Sequence, residues 1–408
     1  MKLGDLCELI VDCEHKTAPT QAEGYPSIRT PNIGRGYFLL DGVNRVSEET
    51  YRLWTRRAVP QPGDLIMARE APVGNVAMVP HGLQPCLGQR TLLIRPDKVK
   101  ADPRYLAYLI VGDEIQGAIH GMTNGATVPH LNMKDVRALS LPPIPALPVQ
   151  QKIASILSAY DDLLENNRRR IQVLERMAQA LYREWFVSFR FPGHAQVKLV
   201  TSPMGKIPQG WKVQRLDEMA TVNASTIRRG VEPENIAYVD IASVSTGRIE
   251  KVEPLAFNDA PSRARRIVRH GDTIWSCVRP NRKSFSLILN PISNLIVSTG
   301  FAVLTPTKVP FSFFYQAVTT DDFVSYLTNN ATGAAYPAVT AKDFEAAKIV
   351  LPNEPLLRLF NEHCEPLLVL KENLIRKHTI LRRARDLLLP KLISGTLDVS
   401  KLDIEATD

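Results

Sequence analysis

Seven cations crowd one short stretch of this chain: Arg263, Arg265, Arg266, Arg269, Arg279, Arg282 and Lys283, opposed only by Asp272. Arginine outnumbers lysine there. A guanidinium offers a planar fork of donors that fits phosphate oxygens and the O6/N7 edge of guanine, whereas an ammonium is a point charge. The chemistry such a stretch can do is recognition of a polyanion, nucleic acid first among them. The formal charge of +8 and the sequence pI near 9.2 are open to a second reading, plain solubility; the clustering favours the first.

Bond-making chemistry has no comparable signature. There is no Walker-type phosphate loop, no G-x-G-x-x-G opening a helix, no H-E-x-x-H, no paired C-x-x-C and no nucleophile elbow. "NPIS" at 290–293 departs at its last two positions from the N-P-P-aromatic motif of amino-methyltransferases. "RPDKVK" at 95–100 is followed by no nuclease-like pair of carboxylates. Cys7, Cys13, Cys86, Cys277 and Cys364 have no paired spacing, which argues against a disulfide framework and against zinc. His15, His81, His130 and His270 read as surface or turn residues. The opening "MKLGDLCELIVDCEHK" carries too many acids for a signal peptide, and no apolar run is long enough for a membrane span. The expectation is a soluble, cytoplasmic binder that leaves catalysis to others.

What positions the cations is a unit written twice. "YPSIRTPNIGRG" (25–36) answers "YVDIASVSTGRI" (238–249), and Gly63-Asp64 answers Gly271-Asp272. "GATVPHLNMKD" (125–135) answers "GAAYPAVTAKD" (333–343), and Glu165-Asn166 falls opposite Glu372-Asn373. Each copy begins with short β-like runs, "DLIMA", "TLLIR", "DTIWS" and "FAVLT", separated by Gly, Pro and Asn turns. Helical candidates "PRYLAYLIVGDEIQ" (103–116) and "FSFFYQAVTTDDFVSYLTN" (311–329) follow, and each copy closes on a long helix, 149–186 and about 355–392.

The first long helix holds Ile153, Leu157, Tyr160, Leu164, Asn167, Ile171, Leu174, Ala178, Leu181 and Trp185 at alternating intervals of four and three, the seam of a coiled coil. Asn167 either fixes register inside that seam or faces water. The matching positions of the second helix are Phe360, Cys364, Leu367, Leu374, Leu381, Leu388 and Leu392, with Lys371, His378 and Arg385 as interruptions. The second helix is the poorer half, and pairing with the first would repair it. Each helix is roughly 55 Å long, and packed antiparallel the pair would make a rod.

From about Leu3 to Leu397 the chain resembles the specificity subunits of Type I restriction–modification enzymes. The likeness rests on "YPSIRTPNIGRG", "PGDLIMAREAPVGNVAMVP", "SPMGKIPQGWKVQRLDEM" (202–219) and "LPPIPALPVQQKIASILSAYDDLLENNRRRIQVLERMAQALYREWF". Two departures are visible: copy one starts at "LGDL" without the Gly-Trp preamble, and "WSCVRPNRKSFSLIL" only loosely follows "MAREAPVGNVAMVP". The resemblance implies an α+β fold with two mixed α/β target-recognition domains joined by two long antiparallel helices, a pseudo-twofold repeat. The expected segments are 1–147 and 191–353 for the recognition domains, 148–190 and 354–397 for the spacer helices, and 398–408 for a tail. It implies a non-catalytic subunit that reads a bipartite site on double-stranded DNA. Two methyltransferase subunits would dock on it, joined by restriction–translocase subunits. S-adenosylmethionine, ATP and Mg²⁺ would be used by those partners, and no cofactor by this chain. On that footing the expected base readers are Arg29, Asn32, Arg69, Gln89 and Arg90 in domain one, and Ser243, Arg279, Asn281, Arg282 and Lys283 in domain two; Arg263, Arg265 and Arg266 are expected on phosphate. The rival expectations are a methyltransferase or nuclease with an unfamiliar site, and a coiled-coil scaffold for proteins.

Overall fold

A computed structural model describes residues 1–123 and 129–404, so positions 125–128 of the "GATVPHLNMKD" repeat and the end of the expected tail lie outside the described residues. The chain divides into two compact units, 1–166 with 378–408, and 167–377.

In unit 1 the strands are β1 (Cys7–Asp12), β2 (Tyr25–Ile28), β3 (Arg45–Val46), β4 (Leu65–Ala68), β5 (Val76–Met78), β6 (Cys86–Leu87) and β7 (Thr91–Pro96). They form an antiparallel sheet in the order β1-β7-β4-β5 and a smaller one in the order β3-β2-β6, where β2 and β6 run parallel. Helices α1 (Glu48–Trp54), α2 (Pro103–Val111), α3 (Asp113–Gly121) and α4 (Met133–Ala138) precede α5 (Leu147–Tyr182). The "LIMA" run of β4 is buried throughout, as an unalternating apolar run demands when both faces of a strand are covered.

Unit 2 contains β8 (Leu199–Ser202), β9 (Gly205–Pro208), β10 (Lys212–Arg215), β11 (Ala220–Val222), β12 (Asn235–Val239), β13 (Val244–Ser245), β14 (Arg248–Ile249) and β15 (Glu253–Ala256). It continues through β16 (Ala264–Ile267), β17 (Thr273–Ser276), β18 (Phe285–Leu287), β19 (Leu295–Ser298) and β20 (Phe301–Pro306). Helices α6 (Phe311–Ala317), α7 (Asp321–Asn330) and α8 (Ala341–Ala346), strand β21 (Lys348–Leu351) and helix α9 (Glu354–Ile393) complete the order. Its main sheets run β11-β20-β17-β18 and β15-β12-β19-β16, with β12 parallel to β19. Strand for strand these are the orders of unit 1, with β16 added at one edge. The repeat read from scattered dipeptides is therefore a repeat of topology.

Two details differ from the sequence reading. The helical candidate at 103–116 is two helices, because Gly112 takes an extended conformation that ends α2 and precedes α3. The candidate at 311–329 also divides, and Thr320 starts the second helix by accepting the Phe323 N–H on its hydroxyl. The Gly-Trp preamble missing from copy one has a packing role in copy two: Trp211 is buried against Phe186, Phe189 and Phe191 just beyond the end of α5.

Helix α5 contributes its first part to unit 1 and the rest to unit 2, and α9 does the reverse. Within unit 1, Ile153 and Leu157 share a core with Leu388, Leu389 and Leu392, and Asp161 meets Arg385 at 2.7 Å. Within unit 2, Glu175 meets Lys371 at 2.8 Å, and Tyr182 and Trp185 pack on Phe360. In each unit the pairing runs in opposite chain directions, so the helices are antiparallel. Ile153, Leu157, Leu164, Ala178, Trp185, Phe360, Cys364, Leu374 and Leu392 are buried. Tyr160, Ile171, Leu174, Leu181, Leu367, Leu381 and Leu388 are half-buried. Asn167 is 7% exposed, which places it in the seam and not toward water.

The expected interruptions Lys371 and Arg385 are buried or half-buried clasps. Burial opposes the Lys371 ammonium, but Tyr315 and Glu175 outweigh it and hold its pKa above the usual lysine value. Arg385 pairs with Asp161, which also accepts the Tyr108 hydroxyl at 2.6 Å. Gly247 closes the unit 2 clasp. It has a φ of +72°, and a Cβ there would lie 2.8 Å from Glu175 Oε1.

Candidate nucleic-acid interface

In unit 1 the ends of β2, β6 and β4 converge on one edge. The Gly88 N–H donates to Ile28 O at 2.8 Å, and the Arg69 N–H donates to Arg90 O at 2.9 Å. A Cβ on Gly88 would stand 2.5 Å from Ile28 O and 2.6 Å from Arg29 Cγ, so only glycine allows this approach. The edge thus collects Arg29, Arg69, Gln89 and Arg90 from segments far apart in sequence. Asn32 closes the turn that follows β2, accepting the Arg29 N–H at 3.1 Å and donating to Leu39 O at 3.2 Å.

Most of these side chains are already engaged. Arg69 is bound inward by Asp12 at 2.5 Å and Leu131 O at 2.9 Å. Arg90, with a φ of +67°, pairs with Glu70 at 3.0 Å, and Gln89 accepts the Thr17 hydroxyl at 3.3 Å. Arg29 is exposed, and its guanidinium has no hydrogen bond or ion pair among the described residues.

The same edge of unit 2 is built from β12, β19 and β17. Gly300 takes the place of Arg90: the Cys277 N–H donates to its carbonyl at 2.8 Å as the Arg69 N–H does to Arg90 O, and a Cβ on it would strike Ile241, in the turn that carries Ser243. Arg263 is held by the Tyr238 hydroxyl at 3.1 Å and Asp240 at 2.6 Å, contacts that raise its pKa and keep it a fixed cation. Arg265 lies over the Phe257 ring at 4.8 Å, and Arg266 reaches the Thr226 hydroxyl at 3.4 Å. Arg269 donates to the Ser225 hydroxyl at 3.0 Å. Sequence reasoning missed Arg228 and Arg229, both exposed, which join this basic strip because Ile227 N–H donates to Arg265 O at 2.9 Å. The Arg-Arg dipeptide was the available signal, but its distance in sequence from 263–283 hid it.

The loop between β17 and β18 holds the rest. Arg279 and Lys283 are both left-handed, with φ of 51° and 55°, and flank the turn Pro280–Arg282. Arg279 donates to Ala335 O at 3.0 Å and covers the Tyr336 ring at 4.6 Å. Lys283 pairs with Asp321 at 2.7 Å, which lowers the Asp321 pKa. Asn281 and Arg282, between them, are exposed and their side chains have no hydrogen bond or ion pair among the described residues.

Asp272, read from sequence as the charge opposing this cluster, is buried and serves the frame. It accepts the Arg269 N–H at 2.7 Å and the Thr305 hydroxyl at 2.7 Å, and burial raises its pKa. Asn290 of "NPIS" occupies a left-handed turn and bonds His270 at 2.9 Å. Asp12, Cys13 and His15 bring their ligand-type atoms within 4.8 Å. Their groups are committed elsewhere, since Arg69 holds Asp12 and burial keeps the Cys13 thiol protonated by raising its pKa. No helix among the described residues is long and apolar enough to cross a membrane.

Residues 1–176 match the family model of the Type I restriction modification DNA specificity domain. The Type I restriction enzyme MjaIX specificity subunit of Methanocaldococcus jannaschii is 24% identical over 378 residues, covering 90% of this chain and 84% of that protein. The MjaVIII specificity subunit of the same organism is 21% identical over 375 residues, covering 90% and 86%. The crystal structure of the Type I restriction–modification S subunit from M. genitalium shares the fold with a TM-score of 0.64 at 16% identity, over 96% of this chain and 95% of that one.

Proposed function

We propose, from the family match of residues 1–176 and the likeness of nine-tenths of the chain to a named specificity subunit, that the chain is a specificity subunit of a Type I restriction–modification system and that each of its units reads one half of an asymmetric, bipartite site on double-stranded DNA. The observation that carries this reading is a single edge built twice on the same strand order and furnished with different side chains. One scaffold with two sets of polar groups suits two unlike half-sites. The basic strip of Arg228, Arg229, Arg263, Arg265, Arg266 and Arg269 supplies phosphate contacts, which position the duplex without reading it.

The chain itself is non-catalytic. Its partners are two methyltransferase subunits and restriction–translocase subunits, and S-adenosylmethionine, ATP and Mg²⁺ are theirs to bind. The paired helices set the gap between half-sites. Such a complex works in the cytoplasm, where the DNA is.

Selection of the full chain against a randomised duplex library tests the reading directly. Two short conserved blocks separated by an unread gap are expected, with binding that weakens as salt rises. Enrichment of nothing, or binding indifferent to salt, overturns it in favour of a protein-binding scaffold. Cleavage or methyl transfer by the pure chain with DNA, Mg²⁺ and S-adenosylmethionine overturns the non-catalytic assignment. Inserting one heptad into both helices, around Leu174 and Leu381, should lengthen the gap while leaving both blocks intact.

A further inference from the structure

Among the cations and amides between Arg263 and Lys283, Asn281 and Arg282 differ in kind from their neighbours. Arg263, Arg265, Arg266, Arg269, Arg279 and Lys283 each have a hydrogen-bond, ring or ion-pair partner within the unit. Asn281 and Arg282 have none among the described residues, yet the backbone that carries them is tightly fixed. The Arg279 N–H donates to Pro337 O at 2.7 Å, the Arg282 N–H to Arg279 O at 2.9 Å and the Lys283 N–H to Pro280 O at 3.0 Å. Pro280 restricts the turn from within. The two flanks of the turn, Arg279 and Lys283, are held in the left-handed region, which costs free energy for residues with a Cβ. Here the contacts of Arg279 with Tyr336 and of Lys283 with Asp321 offset that cost. A rigid turn thus presents two unengaged polar side chains at the tip of a hairpin.

We infer that this turn is the base-reading element of unit 2, with Arg282 donating its two-pronged fork to a guanine and Asn281 pairing with the N6/N7 edge of a neighbouring adenine. The inference deepens the DNA-reading proposal above and rests on it. Guanidinium with guanine and carboxamide with adenine are the two-point matches that the major groove offers to these side chains. Preorganisation matters because an ordered loop loses little entropy when its side chains meet a base. The cations around it are neutralised, stacked or hydrogen-bonded at their heads, so they suit phosphate better than a base edge.

The test repeats the duplex-library selection with the full chain and three variants. For Arg282→Ala, one guanine of one half-site should lose its preference by about tenfold, while the other half-site is unchanged. Asn281→Ala should do the same at an adjacent adenine. Arg282→Lys keeps the charge and removes the fork, so it should lose the guanine preference with the salt dependence of binding preserved. An unchanged consensus in Arg282→Ala and Asn281→Ala overturns the inference. A uniform loss of affinity across all sequences, restored by Arg282→Lys, also overturns it and assigns the turn to phosphate. A wild-type chain that selects no sequence overturns the DNA-reading proposal itself, and this inference with it. All these residues are exposed, and thermal melting of each variant should match the parent.

Discussion

The β4–β5 hairpin of unit 1 and the β17–β18 hairpin of unit 2 are the same object built with different charge chemistry. Both strands follow a Gly-Asp pair at a left-handed glycine, and both lie at the same place in the sheet order. In unit 1 the charges turn inward: Arg69 binds Asp12, Glu70 binds Arg90, and Asp64 is gripped by Arg95 through two contacts of 2.8 Å. In unit 2 the position facing the buried aspartate is Thr305, a hydroxyl where Arg95 stands in unit 1, and the loop points Asn281 and Arg282 at solvent. The frame depends on apolar runs and turns and so tolerates such exchange. The difference shows that loop chemistry varies independently of the frame, which is what two unlike half-sites require.

That contrast can be broken most severely at Arg95. Asp64 is nearly solvent-free, so Arg95→Ala strands a buried carboxylate and should cost about 3 kcal/mol in urea unfolding. Arg69→Ala should cost about 2 kcal/mol, less because His15 stays near Asp12 at 3.0 Å. The unit 2 counterpart, Thr305→Val, removes a neutral donor to Asp272 and should cost about 1 kcal/mol. Should Thr305→Val prove as damaging as Arg95→Ala, the two aspartates do the same work and the contrast fails.

The smallest effect is one of pH. Burial raises the Asp272 carboxyl pKa, opposed by the Thr305 hydrogen bond and by Arg269. The folded chain therefore holds this proton to a higher pH than the unfolded chain does. Its contribution to stability is full below the unfolded value of about 3.9 and is lost as pH rises through the folded value. Urea titrations across that window should show the slope in the parent and not in Asp272→Asn. An identical slope in both would assign it to other groups.

Much of this was legible in the sequence because hydrophobic runs and Gly-Asp turns are local signals. The strands at "LIMA", "TLLIR", "TIWS" and "FAVLT" and both long helices follow from period and punctuation alone. The ends of the short helices were not, since Gly112 and Thr320 act through a local backbone choice that an apolar pattern does not record. The site was legible as a list of polar residues but not as a set of states. Arg69 and Arg282 look equivalent in sequence; only the fold reveals that Asp12, from a strand far back in the chain, claims the first. Lys371 and Arg385 looked like flaws in a seam because their carboxylate partners lie on the other helix, out of reach of any window.

Those two clasps bear on how the duplication is kept. Both carboxylates, Asp161 and Glu175, are on α5, and both cations, Arg385 and Lys371, are on α9. The Glu165-Asn166 and Glu372-Asn373 alignment sets Ala178 and Leu164 of α5 at the places of Arg385 and Lys371. A front half pairing with a second front half would therefore leave both half-buried carboxylates without a counter-ion. The copies have become key and lock, no longer interchangeable, and the chain is tied to carrying both.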